Sequence, residues 1–97
     1  MPAYIVVDIT VRDAGRYEEY KRLAPPSIEQ YGGRYIARGG STQSLEGAWK
    51  PQRLVILEFP SVDAARRWWE SPEYAEAKAL RQAVATTDMV LIEGLLP

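Results

Sequence analysis

The chain lacks two residue types on which much protein chemistry depends, because its 97 residues include neither cysteine nor histidine. Without cysteine it can form no disulfide, no thiolate nucleophile and no thiolate metal site. Without histidine it has no imidazole to serve as general base, metal ligand or axial ligand of haem. We therefore expect no metal site and no cofactor, and any chemistry must come from carboxylates, Arg, Lys, Tyr or the amino terminus.

Concentrated charge and long apolar runs are also missing. The net charge is −1 and the arginines are scattered, so the composition gives no reason to expect a nucleic-acid partner. No stretch is long and apolar enough to suggest a membrane span, and the first residues, M-P-A-Y-I-V-V, do not have the pattern of a signal peptide. We expect one domain over residues 1–97, a cytoplasmic location and no membrane partner.

The clearest structural signal lies in the middle of the chain. Arg53–Phe59 is an apolar run of strand length, and Pro60 ends it because proline cannot donate to a strand ladder. Ser61 is a suitable cap for the helix that follows. Ser71 and Pro72 then predict that this helix stops and restarts, with the serine as the new cap and the proline in the first helical turn.

Three other segments are predicted strands, at Ala3–Val11, Gly33–Arg38 and Thr86–Gly94. Between the first two, Asp13 is placed to cap a helix whose apolar stripe continues to Tyr31 and which ends at Gly32. The adjacent prolines Pro25 and Pro26 interrupt that stripe, so a kink or break is expected there, with a second helical segment starting near Pro26.

The resulting order of elements is strand, helix, strand, strand, helix, strand. This order predicts an α+β fold, a ferredoxin-like βαββαβ antiparallel sheet with its helices on one face. The other face should carry Val6, Leu54, Ile56 and either Leu91 or Val90. Because so large an apolar patch is unusual on a monomer, we expect a homodimer in which a second copy covers that face.

Several strings in the chain resemble the domain-of-unknown-function 1330 family, within the dimeric α/β-barrel superfamily. They are Y-G-G-R-Y-I-A-R-G-G, L-E-G-A-W-K-P-Q-R-L-V-I-L-E-F-P-S, S-P-E-Y and A-K-A-L-R. The resemblance covers nearly the whole chain. It implies two sheets that form a barrel across a homodimer, a bacterial cytosolic origin and no established reaction. Better-known members of the superfamily include haem-degrading and cofactor-free monooxygenases, muconolactone isomerases and chlorite dismutases, but a histidine-held haem has no ligand here.

Three charged residues are candidate catalytic groups. Alternation places the carboxylate of Glu58 on an otherwise apolar strand face, and Asp8 should share that open face. Alternation from Arg34 also places Arg38 there, so that either arginine can meet Glu58. An arginine clamp beside a carboxylate would suit a small anionic or enolisable ligand, with Glu58 or Asp8 as proton acceptor. The same pattern also fits an ion-pair network that holds a dimer in register.

Trp49 is the remaining candidate, because it lies in a long polar loop where it can act either as a lid or as a packing anchor. We expect a ligand between the open face and the loop, in contact with Arg38, Trp49 and Glu58. The corresponding function is a cofactor-free small-molecule enzyme or binder of the monooxygenase or isomerase type. A non-catalytic dimeric module is the alternative, and an RNA reader is disfavoured because Leu54, Ile56 and Glu58 offer no aromatic base platform on that strand.

Overall fold

The computed structural model describes residues 1–96 of the chain and contains four strands and three helices in that range. In chain order they are β1 (Ala3–Val11), α1 (Ala14–Gln30), β2 (Arg34–Arg38), β3 (Leu54–Phe59), α2 (Val62–Glu70), α3 (Pro72–Val84) and β4 (Ala85–Glu93). None of these helices is long and apolar enough to cross a bilayer.

The four strands form one antiparallel sheet in the order β2-β3-β1-β4. In the central strand β1, Ile5 lies between Leu57 of β3 and Leu91 of β4. Alternate side chains of β1 and β3 are buried in one core with side chains from all three helices, so the helices cover a single face. The predicted ferredoxin-like α+β fold is therefore confirmed.

The core beneath the helices is centred on Trp68 of α2. Its ring lies 5.5 Å from the ring of Phe59 and 4.0 Å from that of Tyr74, measured between centroids. The indole Nε1 donates to Ser27 Oγ at 3.0 Å, so this large side chain is buried without an unpaired donor. Trp68 thus joins α1, α3 and β3, and so fixes the distance between the helices and the sheet.

The predicted helix caps are present. Asp13 Oδ1 accepts from the amide of Arg16 at 3.1 Å at the start of α1. Ser61 Oγ accepts from the amide of Ala64 at 3.0 Å, and Ser71 Oγ accepts from the amide of Tyr74 at 3.2 Å. The chain therefore stops and restarts its second helix at Ser71, as the sequence predicted.

The predicted break at the two prolines is wrong, because α1 runs without interruption through Pro25 and Pro26. Proline removes an amide donor, and at Pro25 the carbonyl that loses its partner is that of Lys21, four residues earlier. Arg38 Nη2 donates to this carbonyl at 2.9 Å and takes the place of the missing amide. Buried residues before and after the prolines also pack both halves of α1 against the same core.

The open face of the sheet carries a band of apolar side chains. Val90, Val6 and Ile56 are paired across three strands, and Ala37 of β2 extends this row. Val90, at 61% relative exposure, occupies the position for which the sequence allowed either Val90 or Leu91. Leu91 points the other way, towards the helices, because it pairs with the buried Ile5. A contiguous apolar surface of this kind is typical of an interaction face.

Candidate functional site

The structure separates the two arginines of β2 that simple alternation placed on one face. Tyr35 pairs with Leu57 and Ala37 pairs with Ile56, so Ile36 forms a bulge with no partner of its own. The extra residue reverses the alternation beyond it. Arg34 therefore lies on the open face, whereas Arg38, paired with the buried Val55, lies on the helix side. The prediction that these arginines share a face with Glu58 is wrong for Arg38.

Glu58 is paired with the arginine that stays on its own face. Arg34 Nε lies 2.7 Å from Glu58 Oε1. This hydrogen bond, helped by a second from Tyr4, holds the pKa of Glu58 below its ordinary value. The hydrogen bond between Tyr4 and Glu58 also raises the pKa of the Tyr4 hydroxyl. Glu58 is consequently an ionised, well-satisfied carboxylate, and its lowered pKa makes it a weaker base than a free glutamate.

Trp49 lies against the open face beside Asp8, a contact that the sequence did not predict. Trp49 Nε1 donates to Asp8 Oδ2 at 3.0 Å, and the amide of Gln52 donates to Asp8 Oδ1 at 2.9 Å. The bond from Trp49 is the main cause that lowers the pKa of Asp8. The carboxylate thereby ties the end of the long loop to β1. The indole remains 60% exposed and lies beside Val90 and Ile92 over a shallow hollow.

The four sequence candidates therefore do not surround one small molecule. Asp8 pairs with Leu54 in the β1–β3 ladder and Glu58 pairs with Tyr4, so the two carboxylates lie four residues apart along the strands. Arg38 lies on the opposite side of the sheet. Among residues 1–96 no group of three carboxylates is arranged to hold a metal ion.

A different group of polar side chains converges between α1 and the helix side of β1, β2 and β3. We call this region the helix-side cleft. Its cavity measures about 20 Å³, which is room for one water molecule. Apolar side chains form its walls, and its polar lining consists of Tyr17, Tyr20, Lys21, Tyr35, Arg38 and Arg53. No aspartate or glutamate lines it, so the lining carries positive charge in a chain whose net charge is −1.

Both arginines of the cleft rest on tyrosine rings. The guanidinium carbon of Arg38 lies 4.4 Å from the ring centroid of Tyr35. That of Arg53 lies 5.6 Å from the ring of Tyr17, and its Nε donates to the Tyr17 hydroxyl at 3.2 Å. Neither arginine forms an ion pair with a carboxylate of residues 1–96. Their charges are held by aromatic rings and neutral oxygens, and so remain available to an anion.

Gly39 explains how Arg53 reaches this position. A side chain at Gly39 would collide with the Arg53 guanidinium, and the glycine has a φ of +67°, which side chains disfavour. The glycine that ends β2 therefore lets the arginine that precedes β3 fold back over the mouth of the cleft. In the sequence, the glycine pair after β2 indicates that another group approaches the backbone closely there. It does not indicate that this group is the side chain of Arg53.

Behind the cleft lies a buried arginine whose partners are hydroxyl groups. Arg81 is only 3% exposed, and its Nε donates to the Tyr74 hydroxyl at 3.3 Å. It also donates to Thr87 Oγ1. The Tyr74 and Tyr20 hydroxyl oxygens are 2.8 Å apart, so a chain of hydrogen bonds runs from Arg81 to the cleft lining. Burial raises the pKa of Tyr20 well above its ordinary value, and the hydroxyl is therefore neutral at neutral pH.

Sequence reasoning did not select these residues as a site. Tyr17 and Tyr20 stood in the apolar stripe of α1, where aromatic residues usually form core. The available signal was Arg81, a permanent charge on the same stripe of α3 as Tyr74, seven residues earlier. A charge in an apolar stripe needs buried partners, and that requirement points to the tyrosines.

The comparisons with known proteins agree with this fold. The family model described as a domain of unknown function, DUF1330, matches residues 2–95. No curated protein matches the chain.

Solved structures with the same architecture cover nearly the whole chain. A protein of unknown function from Rhodopseudomonas palustris is similar at 26% identity and a TM-score of 0.80, over 99% of this chain and 84% of that one. SnoaB, a cofactor-independent oxygenase from Streptomyces nogalater, is similar at 14% identity and a TM-score of 0.66, over 99% and 95%. A dimeric ferredoxin-like protein of unknown function from Jannaschia sp. CCS1 has 14% identity and a TM-score of 0.66, over 97% and 100%.

Proposed function

We propose that this chain, which belongs to the DUF1330 family, is a homodimeric, cofactor-free domain that binds a small anionic or readily ionised molecule in the helix-side cleft. One observation carries the proposal. The polar lining of the cleft combines three tyrosines with three cations and contains no carboxylate. Convergent polar groups in an apolar recess are the usual form of a small-molecule site.

The charge of the lining defines the class of ligand. Lys21 forms an ion pair with Glu18 at 3.0 Å on the helix surface, but Arg38 and Arg53 have no such partner among residues 1–96. A carboxylate, phenolate or enolate would supply the missing negative charge through charge-assisted hydrogen bonds. A cationic ligand would be repelled. Arg38 thus stays a proposed ligand-binding residue, in the cleft rather than on the open face.

The size of the cleft requires a movement at its mouth. A cavity of about 20 Å³ does not admit an organic molecule. Arg38 lies on the edge strand β2, where it is exposed and held by one hydrogen bond to the carbonyl of Lys21. Release of this bond exposes a carbonyl that water can satisfy, so the arginine can turn to an anion at modest cost.

The chemistry open to this cleft is limited by its lack of a base. Neither a carboxylate nor an imidazole faces the cavity, so a substrate must ionise through its own acidity. SnoaB is described as a cofactor-independent oxygenase, and that description supports an enzyme of the monooxygenase type here. In that case the bound anion is the reductant and O₂ the oxidant, whereas an isomerase would consume no O₂. An oxygen electrode therefore distinguishes the two reactions.

The homodimer is proposed from the open face of the sheet. The apolar row of Val90, Val6 and Ile56 lacks a cover among residues 1–96, and a structural neighbour is described as dimeric. In such a dimer Asp8 and Glu58 would lie at the edges of the covered face. We propose that their bonds to Trp49 and Arg34 fix the register of the two sheets.

The experiment is a comparison of anions with neutral analogues of similar shape. Benzoate against benzamide, and 4-nitrophenolate against nitrobenzene, are titrated into the protein and followed by calorimetry and thermal shift. We expect only the anions to bind and to raise the melting temperature. Arg38→Ala and Arg53→Ala should each lower the affinity about tenfold or more, because each removes a hydrogen bond to a charged group.

Arg34→Ala is the matched control, since Arg34 belongs to the same strand as Arg38 but lies on the other face. Its affinity for the anions should equal that of the wild-type protein. If no anion binds, or if all three variants bind equally, the cleft is not the site. The non-catalytic dimeric module then becomes the better description of the protein.

A further inference from the structure

We infer that the hydroxyl groups of Tyr17 and Tyr20 form a two-donor site for a single anionic oxygen of the ligand. The inference rests on the proposed function and names the atoms that would recognise the ligand at the inner end of the helix-side cleft. It follows from the directions of the hydrogen bonds around the two tyrosines, because an arginine can only donate.

The first donor is Tyr17. Its oxygen accepts from Arg53 Nε at 3.2 Å, so the hydroxyl proton takes no part in this bond. No residue of 1–96 accepts that proton in the structure. The side chain is buried at 5% exposure and lines the cleft, so the proton has only the cavity in which to find an acceptor.

The second donor is Tyr20, and Tyr74 sets the direction of its hydroxyl proton. Arg81 donates to the oxygen of Tyr74, which leaves the Tyr74 proton in need of an acceptor. Tyr74 is fully buried, and within residues 1–96 the only hydroxyl in reach is that of Tyr20, at 2.8 Å. Because an unpaired buried proton is costly, Tyr74 donates to Tyr20. The proton of Tyr20 is then free to point into the cleft.

The two donors lie side by side. Tyr17 and Tyr20 are three residues apart on α1 and so project from the same face of the helix. Their ring centroids are 5.4 Å apart, the rings are inclined by 33°, and both line the same cavity. In the inferred site one oxygen atom between the hydroxyls accepts from both, which is the arrangement of an oxyanion hole.

Each of the two hydroxyls is polarised by an arginine. Arg53 donates to the oxygen of Tyr17, and Arg81 acts on Tyr20 through Tyr74. A hydroxyl whose oxygen already accepts from a cation is a stronger donor, because each bond in such a chain polarises the next. The favoured ligand is therefore a compact molecule whose carbonyl or phenol oxygen carries the negative charge, such as an enolate or a phenolate.

The test uses 4-nitrophenolate as the probe, because its absorption reports the ionised form directly. Tyr17→Phe and Tyr20→Phe each remove one donor and keep the ring. Each should lower the affinity about tenfold, and the double variant should lower it further. Tyr74→Phe should also weaken binding several-fold although Tyr74 does not line the cleft, since it leaves the Tyr20 proton without a fixed direction.

Tyr31→Phe is the control, because its hydroxyl donates to Glu73 on the exposed side of the molecule and not to the cleft. This variant should bind the probe as the wild-type protein does. In addition, tyrosines labelled with ¹³C at the hydroxyl-bearing carbon should show shifts at Tyr17 and Tyr20 on binding, but not at Tyr31.

Two failures are distinguishable. If Arg38→Ala and Arg53→Ala lose binding while Tyr17→Phe and Tyr20→Phe do not, the cleft is a site but the two-donor inference is wrong. If the wild-type protein binds no probe, the proposed function and the inference fall together. Unchanged ¹³C signals of Tyr17 and Tyr20 in a complex that does form would also overturn the inference, whatever the stability of the variants.

Discussion

The two faces of the sheet differ in the partners of their charged side chains. On the open face, the carboxylates of Asp8 and Glu58 are satisfied by exposed partners, Trp49 and Arg34. On the helix side, Arg38 and Arg53 have aromatic rings and neutral oxygens as partners and no carboxylate among residues 1–96. Carboxylates whose oxygens already accept hydrogen bonds within the protein suit a structural role, whereas arginines without a carboxylate partner suit the binding of an anion.

The largest expected effect is the loss of stability when a leucine that packs on the helix side is truncated. Leu57 is buried on the helix side and Leu45 is exposed in the loop beyond the open face. Leu57→Ala should lower the free energy of unfolding by about 2–5 kcal/mol, because it leaves a cavity in the core. Leu45→Ala should change it by less than about 0.5 kcal/mol. Urea denaturation measures both, and equal effects would contradict the assignment of the core to the helix side.

The next prediction concerns the cover of the open face. Val6→Lys places a charge in the middle of the apolar row, and it should convert a dimer into a monomer with half the mass in light scattering. Circular dichroism should show that the fold is retained. Gln82→Lys, an added charge on the exposed part of α3, should leave the mass unchanged. A wild-type protein that is already monomeric would remove the basis for the proposed dimer.

The helix side should dominate the loss of stability in alkali. The pKa of Tyr20 is raised in the folded protein by burial, so above the ordinary tyrosine pKa of about 10 the unfolded chain ionises first. Stability should therefore fall as pH rises from about 10 through the folded pKa. Tyr20→Phe should make this fall less steep, as measured by melting temperature against pH. Tyr31→Phe should have a smaller effect, because the hydroxyl of Tyr31 is bonded to Glu73 on the exposed side of the molecule and is not buried as that of Tyr20 is.

The smallest expected effect is the change in stability at low pH caused by Asp8 on the open face. The pKa of Asp8 is lowered in the folded protein, mainly by the hydrogen bond from Trp49, so its contribution to stability is complete above the ordinary aspartate pKa of about 4. It should be lost as pH falls through the folded pKa. Because Asp8 is close to solvent, the change should be slight. Asp8→Asn should flatten the acid limb of the melting curve and leave the alkaline limb unchanged, and a steeper acid limb would contradict this assignment.

Much of the fold could be predicted, because its signals are local. The alternation of β1, the apolar run of β3 and the serine caps at Ser61 and Ser71 each depend on neighbouring residues alone. The site could be predicted only in part. Glu58 pairs with Arg34, one of the two arginines that alternation offered, whereas Arg38 lies on the other face and the contact between Asp8 and Trp49 was not predicted.

Except for the continuity of α1 through its two prolines, the sequence by itself determined where strands and helices form, since hydrophobic period and capping chemistry act over a few residues. The tertiary structure alone decided which face each arginine occupies. The bulge at Ile36 arises from pairing with β3 and turns Arg38 towards the helix side, where it supplies the donor that Pro25 lacks. Likewise Tyr74, which accepts from Arg81 on the same helix, meets Tyr20 only because α1 and α3 pack together. The apolar period of each helix shows that it packs, but not against which partner.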